Sequence, residues 1–102
     1  MSAQLLVLYP RTESSTFNKE YYLSTHMGLA KRAWEKHGLK SYSVVEASPE
    51  DSYAYITVLD FESIEAFGAA MQDPESAAVM ADVTNFTNIQ PVIVHGNVVG
   101  RG

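Results

Sequence analysis

The spacing of apolar residues along this chain switches repeatedly between the two-residue period of a strand and the 3.6-residue period of a helix. Few folds can use the order in which it does so. Gln4 to Tyr9 is an apolar run ended by Pro10, and predicts a buried strand. Residues 11–17 form a polar loop rich in Ser and Thr. Asn18 is placed to cap a long helix that runs to His37, with Gly38 just past its C-terminus. At about 100° per residue, Tyr22, His26, Leu29, Ala30, Ala33, Trp34 and His37 share one face of that helix. Lys31, Arg32, Glu35 and Lys36 share the other.

Ser41 to Ala47 reads as a strand, Pro49 to Ser52 as a turn, and Tyr53 to Phe61 as the second strand of a hairpin. Tyr53, Tyr55, Thr57, Leu59 and Phe61 fall on one side of it. Ser63 caps a helix carrying Ile64, Phe67, Ala70 and Met71. Asp73-Pro74 opens a short third helix to about Ala81. Ile89 to Val99 is the last strand, and Pro91 sets its start at an edge or ahead of the ladder.

The order β-α-β-β-α-β predicts an α+β, ferredoxin-like domain spanning 1–102, with a four-stranded antiparallel sheet and the helices on one face. The first, third and fourth strands carry apolar residues on both sides, so the second sheet face also needs a cover. No element is left over to supply one. A second copy is the simplest cover, and two such sheets face to face make a dimeric α/β barrel. A homodimer with a large apolar interface is expected.

Composition narrows the function classes. The net charge of −5 argues against a partner recognised through its phosphate backbone, so no nucleic acid is expected. With no cysteine, a thiol nucleophile and Cys-ligated metal are excluded. No basic, apolar leader and no run of about 18 apolar residues is visible, so the expectation is a cytoplasmic protein without a membrane span. Six of the seven basic residues lie within 11–40. That clustering reads as a solvated helix face, with a docking surface for an acidic partner as the alternative.

Two motifs resemble the signature of EthD-like proteins: Phe17-Asn18-x-x-Tyr21-Tyr22-x-x-x-His26-Met27 and Asp82-Val83-Thr84-Asn85-Phe86-Thr87-Asn88-Ile89-x-Pro91. Leu8-Tyr9-Pro10 and Phe61-x-Ser63-x-Glu65-Ala66-Phe67 fit as well. The resemblance implies the dimeric α/β-barrel superfamily and a pocket between helices and sheet. The family takes its name from bacterial ethyl tert-butyl ether degradation, where members accompany a haem monooxygenase. Fungal relatives sit in aromatic polyketide pathways as dehydratases or decarboxylases. Wider barrel relatives include cofactor-free monooxygenases, polyketide cyclases and haem-degrading enzymes. The chain departs from the family's His-Met-Pro-Leu at His26-Met27-Gly28-Leu29, where a Pro kink gives way to a Gly.

His26, central on the apolar helix face, is the candidate general base or acid. Tyr22, one turn earlier on the same face, is the candidate donor to a developing oxyanion. Tyr21 points about 100° away and reads as packing. Asp82 either orients His26 or caps a turn. Trp34, Tyr42, Tyr53, Tyr55, Phe67 and Phe86 are candidates to line an aromatic-binding pocket, with core packing as the alternative. Asn85 and Thr87, flanking Phe86, either bind a ligand carbonyl or fix the turn into the last strand. His37 suits a helix C-terminus, and His95 the edge of the sheet. The three histidines lack metal-ligand spacing, and neither metal nor cofactor is expected.

The leading expectation is a cofactor-independent enzyme (a lyase or dehydratase, a cyclase or a monooxygenase) that removes a proton next to a carbonyl of a small aromatic or polyketide-like compound. The alternative is a non-catalytic binding or accessory protein for such a compound. A third reading is a haem protein using His26 or His95.

Overall fold

The computed structural model describes residues 1–102, and its elements follow the expected order. They are β1 (Ala3–Pro10), a helical run α1 over 19–37, β2 (Leu39–Glu46), β3 (Tyr53–Phe61), α2 (Ile64–Gln72), α3 (Pro74–Ala81) and β4 (Val92–Asn97). A 3₁₀ turn, Asp82–Asn85, follows α3 directly. The sheet order is β2-β3-β1-β4, antiparallel throughout, which is the ferredoxin-like arrangement. Pro91 stands just ahead of β4, where its missing N–H costs no ladder bond.

Register divides the sheet into two faces. Leu5, Val7 and Tyr9 of β1 lie opposite Leu59, Thr57 and Tyr55 of β3, beneath the helices. The core gathers there: Leu5, Tyr9, Tyr22, Met27, Trp34, Leu59, Phe61 and Phe86 are all buried. On the other face two rows run across all four strands, Val45–Ile56–Leu8–Val92 and Ser43–Val58–Leu6–Val94. All but one of these residues are apolar, and Val45, Val92 and Val94 stand exposed at 46%, 43% and 51%. The next row is polar, with Gln4 donating to Asp60 at 2.9 Å. No helix of the chain is long and apolar enough to cross a membrane.

The helix ends obey local chemistry. The Asn18 side chain accepts from the Tyr21 N–H, Ser63 from Ala66, and Asp73 from Glu75. Inside α1 the structure differs from the regular helix that the periodicity predicts. An α turn (Lys19–Tyr21) passes into a π turn (Tyr22–His26), then an α segment (Met27–Trp34) and a 3₁₀ turn (Glu35–His37). In the π turn the Met27 N–H reaches back to the Tyr22 carbonyl. Residues five apart are then brought near one another as well as those four apart. Tyr21 and His26 are such a pair, so Tyr21 shares the side of His26 and does not point away from it.

Gly38 closes α1 at φ 100°, a left-handed conformation that L side chains avoid. A Cβ there would lie 3.0 Å from that of Ala66. Around Gly28, inside the α segment, a Cβ would meet nothing within 4 Å. The two glycines therefore predict opposite signs in urea unfolding. Gly38→Ala lowers stability by about 1–2 kcal/mol or more. Gly28→Ala raises it by about 0.5–1 kcal/mol, because a helix-interior glycine is replaced without a clash.

Candidate functional site

The site is built where the start of α1 meets the segment after α3. The Asn18 N–H donates to the Phe86 carbonyl at 2.8 Å, and Phe17 pairs with Thr87 as an isolated bridge. The Thr87 hydroxyl donates to the Thr16 carbonyl, while Asn88 accepts from the Thr16 N–H and donates to the Ser14 carbonyl at 2.9 Å. These short polar side chains satisfy backbone groups that neither helix nor sheet can satisfy. They tie two segments some 70 residues apart into one unit.

Within that unit Asp82 is buried and accepts three hydrogen bonds. One oxygen accepts from the Tyr21 hydroxyl at 2.7 Å and from the Asn85 amide at 2.9 Å. The other lies 2.9 Å from His26 Nδ1. Burial pushes the Asp82 carboxyl up, but the bonds from Asn85, Tyr21 and His26 together outweigh it and hold the group below its ordinary value. An ionised carboxylate only accepts, so His26 donates from Nδ1. The neutral imidazole then carries its lone pair on Nε2. Tyr22 stacks on the imidazole at 5.2 Å and Phe86 lies 4.6 Å from it, which fixes the ring plane.

His26 lines a cavity of about 40 Å³ between α1 and the sheet. Its two ends differ. Leu5, Ala30, Trp34, Leu59 and Val79 make one end apolar, while Tyr9, Tyr22, Thr57 and His26 bring polar atoms to the other. The Tyr22 and Thr57 hydroxyls are 2.5 Å apart. Burial raises both the Tyr22 and Tyr9 phenols above their ordinary value, and the neighbouring Tyr22 adds to the rise of Tyr9. Both are therefore neutral hydrogen-bonding groups. Met80, Val83, Pro91 and Ile93 form the rim, with Met80 and Ile93 exposed at 42% and 46%. A volume of 40 Å³ holds a water or two. A benzene-sized ligand needs roughly 150 Å³, so an aromatic ring enters only if this rim moves.

Of the residues singled out in the sequence, His26, Tyr22 and Trp34 line the cavity, and the Trp34 indole N–H is anchored on Ser76 at 2.6 Å. Phe86 lies behind the imidazole, and Asn85 serves Asp82. Tyr55 stands apart, stacked on Phe17 at 4.0 Å with its hydroxyl on Glu46. Phe67 packs against Phe61 and His95, away from the cavity. His37 pairs with Asp73 at 2.7 Å at the far end of α1. Sequence reasoning left out Tyr9, Thr57 and Met80. Thr57 carried a signal, as the lone aliphatic hydroxyl amid aromatic and aliphatic neighbours on its side of β3. Tyr21 belongs to the carboxylate network and not to packing alone, for the reason the π turn supplies.

Two carboxylates make stability acid-sensitive. The hydrogen bond from His37, with that from the Glu75 N–H, draws Asp73 from 3.8 to about 2, and Asp82 is also lowered. A lowered carboxylate contributes stability that is fully present above its unfolded pKa and lost as pH falls through its folded one. Wild type should therefore lose stability between about pH 4 and pH 2, and Asp73→Asn should lose less over that range in pH-dependent urea melts. Asp82→Ala at neutral pH should cost about 2–4 kcal/mol, because it strands partners of a buried acceptor.

A family model described as EthD domain matches residues 10–90. Among solved structures, an EthD-like protein of Ralstonia eutropha JMP134 is similar at 28% identity and a TM-score of 0.85, over 99% of this chain and 95% of that one. SnoaB of Streptomyces nogalater, described as a cofactor-independent oxygenase, shares the fold at 8% identity and a TM-score of 0.65, over 96% and 95% of the two chains. A dimeric ferredoxin-like protein of unknown function from Jannaschia sp. CCS1 matches at 16% identity and 0.68, over 96% and 100%. No curated protein matches the chain.

Proposed function

The chain belongs to the EthD family, and from that premise we propose that it is a cofactor-independent acid–base enzyme acting on a small hydrophobic, aromatic or polyketide-like compound. One observation carries the reading: a buried histidine whose Nδ1 is held by an ionised carboxylate and whose other side lines an apolar cavity. In this reading Nε2 takes a proton from a carbon next to a carbonyl. Asp82 stabilises the imidazolium that forms, and Tyr22 donates toward the enolate oxygen. The apolar walls keep water from competing. Loss of a leaving group, ring closure or attack on oxygen can each follow that first step. The cofactor-independent oxygenase with the same fold supports the idea that this scaffold can run such chemistry from side chains alone. The small volume of the cavity favours a second reading, a non-catalytic binding or accessory protein of a degradation or biosynthetic pathway.

On a compound that binds and turns over, His26→Ala should lower kcat by about 10²-fold or more with binding retained. Asp82→Asn should lower it by about 10- to 100-fold. Full turnover by His26→Ala would end the acid–base reading.

The protein acts as a homodimer in this proposal, with the open sheet face as its interface. Two apolar rows bounded by the polar Gln4–Asp60 row have the anatomy of an apolar interface core with a polar rim. The dimeric Jannaschia protein of the same fold supports it. Sedimentation at micromolar concentration should find a dimer, and Val94→Asp, at the exposed end of one row, should shift it toward monomer. A stable wild-type monomer would contradict the arrangement.

A further inference from the structure

Resting on the reading of this cavity as a substrate site, the geometry points to the class of molecule it takes: an uncharged one with an apolar body and one oxygen, a phenol or an enolisable ketone, whose oxygen is received by the hydroxyls of Tyr22, Thr57 and Tyr9.

Tyr9, Tyr22 and Thr57 are each at most 2% exposed, and all three line the cavity, so little besides the cavity and one another remains for their hydroxyls to face. Tyr22 and Thr57 are within hydrogen-bond distance of each other, and either can be the donor. Two hydroxyls carry two protons, and one bond between them uses one. Tyr9 in turn hydrogen-bonds to Tyr22, so of the three hydroxyl protons two are used within the group and one is left to donate to a ligand oxygen. Thr57 is telling, because a valine of the same shape would serve packing alone.

Charge sets the other half of the class. No lysine or arginine lines the cavity. Lys19 and Arg11 are held outside it, on Glu46 and on the carbonyls of the β2–β3 turn. The only basic group present, His26, already faces the Asp82 carboxylate. A carboxylate or phosphate would lose its water and meet no counter-ion. A neutral oxygen needs none. Admission of a ring requires the rim to yield, and Met80 is an unbranched, adaptable side chain in the right place.

The test is binding, by calorimetry and thermal shift, with phenol, benzoate and toluene as probes on wild type, Thr57→Val and Thr57→Ser. Phenol should bind wild type and benzoate should not at the same concentration. Thr57→Val should weaken phenol about 5- to 10-fold with toluene unchanged, and Thr57→Ser should restore phenol. Benzoate binding as tightly as phenol, no phenol binding, or equal effects of Thr57→Val on phenol and toluene would each overturn the assignment. If the preference for phenol over benzoate holds while no substrate turns over, the acid–base reading fails and the oxygen subsite stands. Turnover of an anionic substrate that is lost in His26→Ala does the reverse.

Discussion

A buried carboxylate holds this structure's working parts in register. Asp82 sits at the end of α3 and accepts from Tyr21, His26 and Asn85, the first two lying 61 and 56 residues away in sequence. An anion in such a place is costly unless its lone pairs are taken up, and here they are. The same bonds that make its burial tolerable fix the donor atom of the histidine and tie the first turns of α1 to the segment after α3. Removing any one partner would therefore be felt by the others.

The fold supplies what the carboxylate cannot, a largely apolar-walled space beside the imidazole. The two central strands, β1 and β3, present Tyr9 and Thr57 upward near the polar end and Leu5 and Leu59 near the apolar end. The helices close over them, with Trp34 fixed by Ser76 and Val79 beside it. β4 contributes only rim, because the helices leave its upper side exposed. The cavity is thus floored by the centre of the sheet, covered by the helices and rimmed in part by β4.

Much of this was legible in the sequence. Helix starts at Asn18, Ser63 and Asp73-Pro74 and the stop at Gly38 follow from side-chain chemistry local to each position. The topology followed from the order of strand and helix periods, because few sheets accommodate β-α-β-β-α-β. The π turn was illegible, since periodicity assumes one turn geometry throughout and no residue announces an extra backbone position. With it went the place of Tyr21. Tyr55 and Phe67 show a second limit: an aromatic on the helix-facing side of an element packs against whatever lies above it, and pattern alone does not say whether that is a cavity or another ring. Tyr9 and Thr57 required knowing the register between β1 and β3, which is a long-range property.

Everything chemical here depends on His26 being held by Asp82 through Nδ1, which leaves Nε2 free beside the cavity. Long-range ¹H–¹⁵N correlation of the imidazole reads this directly. The account predicts that neutral His26 carries its proton on Nδ1, with Nε2 as an unprotonated acceptor, and that Asp82→Ala abolishes this preference. A proton on Nε2 in the wild-type protein, with Nδ1 bare, would contradict it.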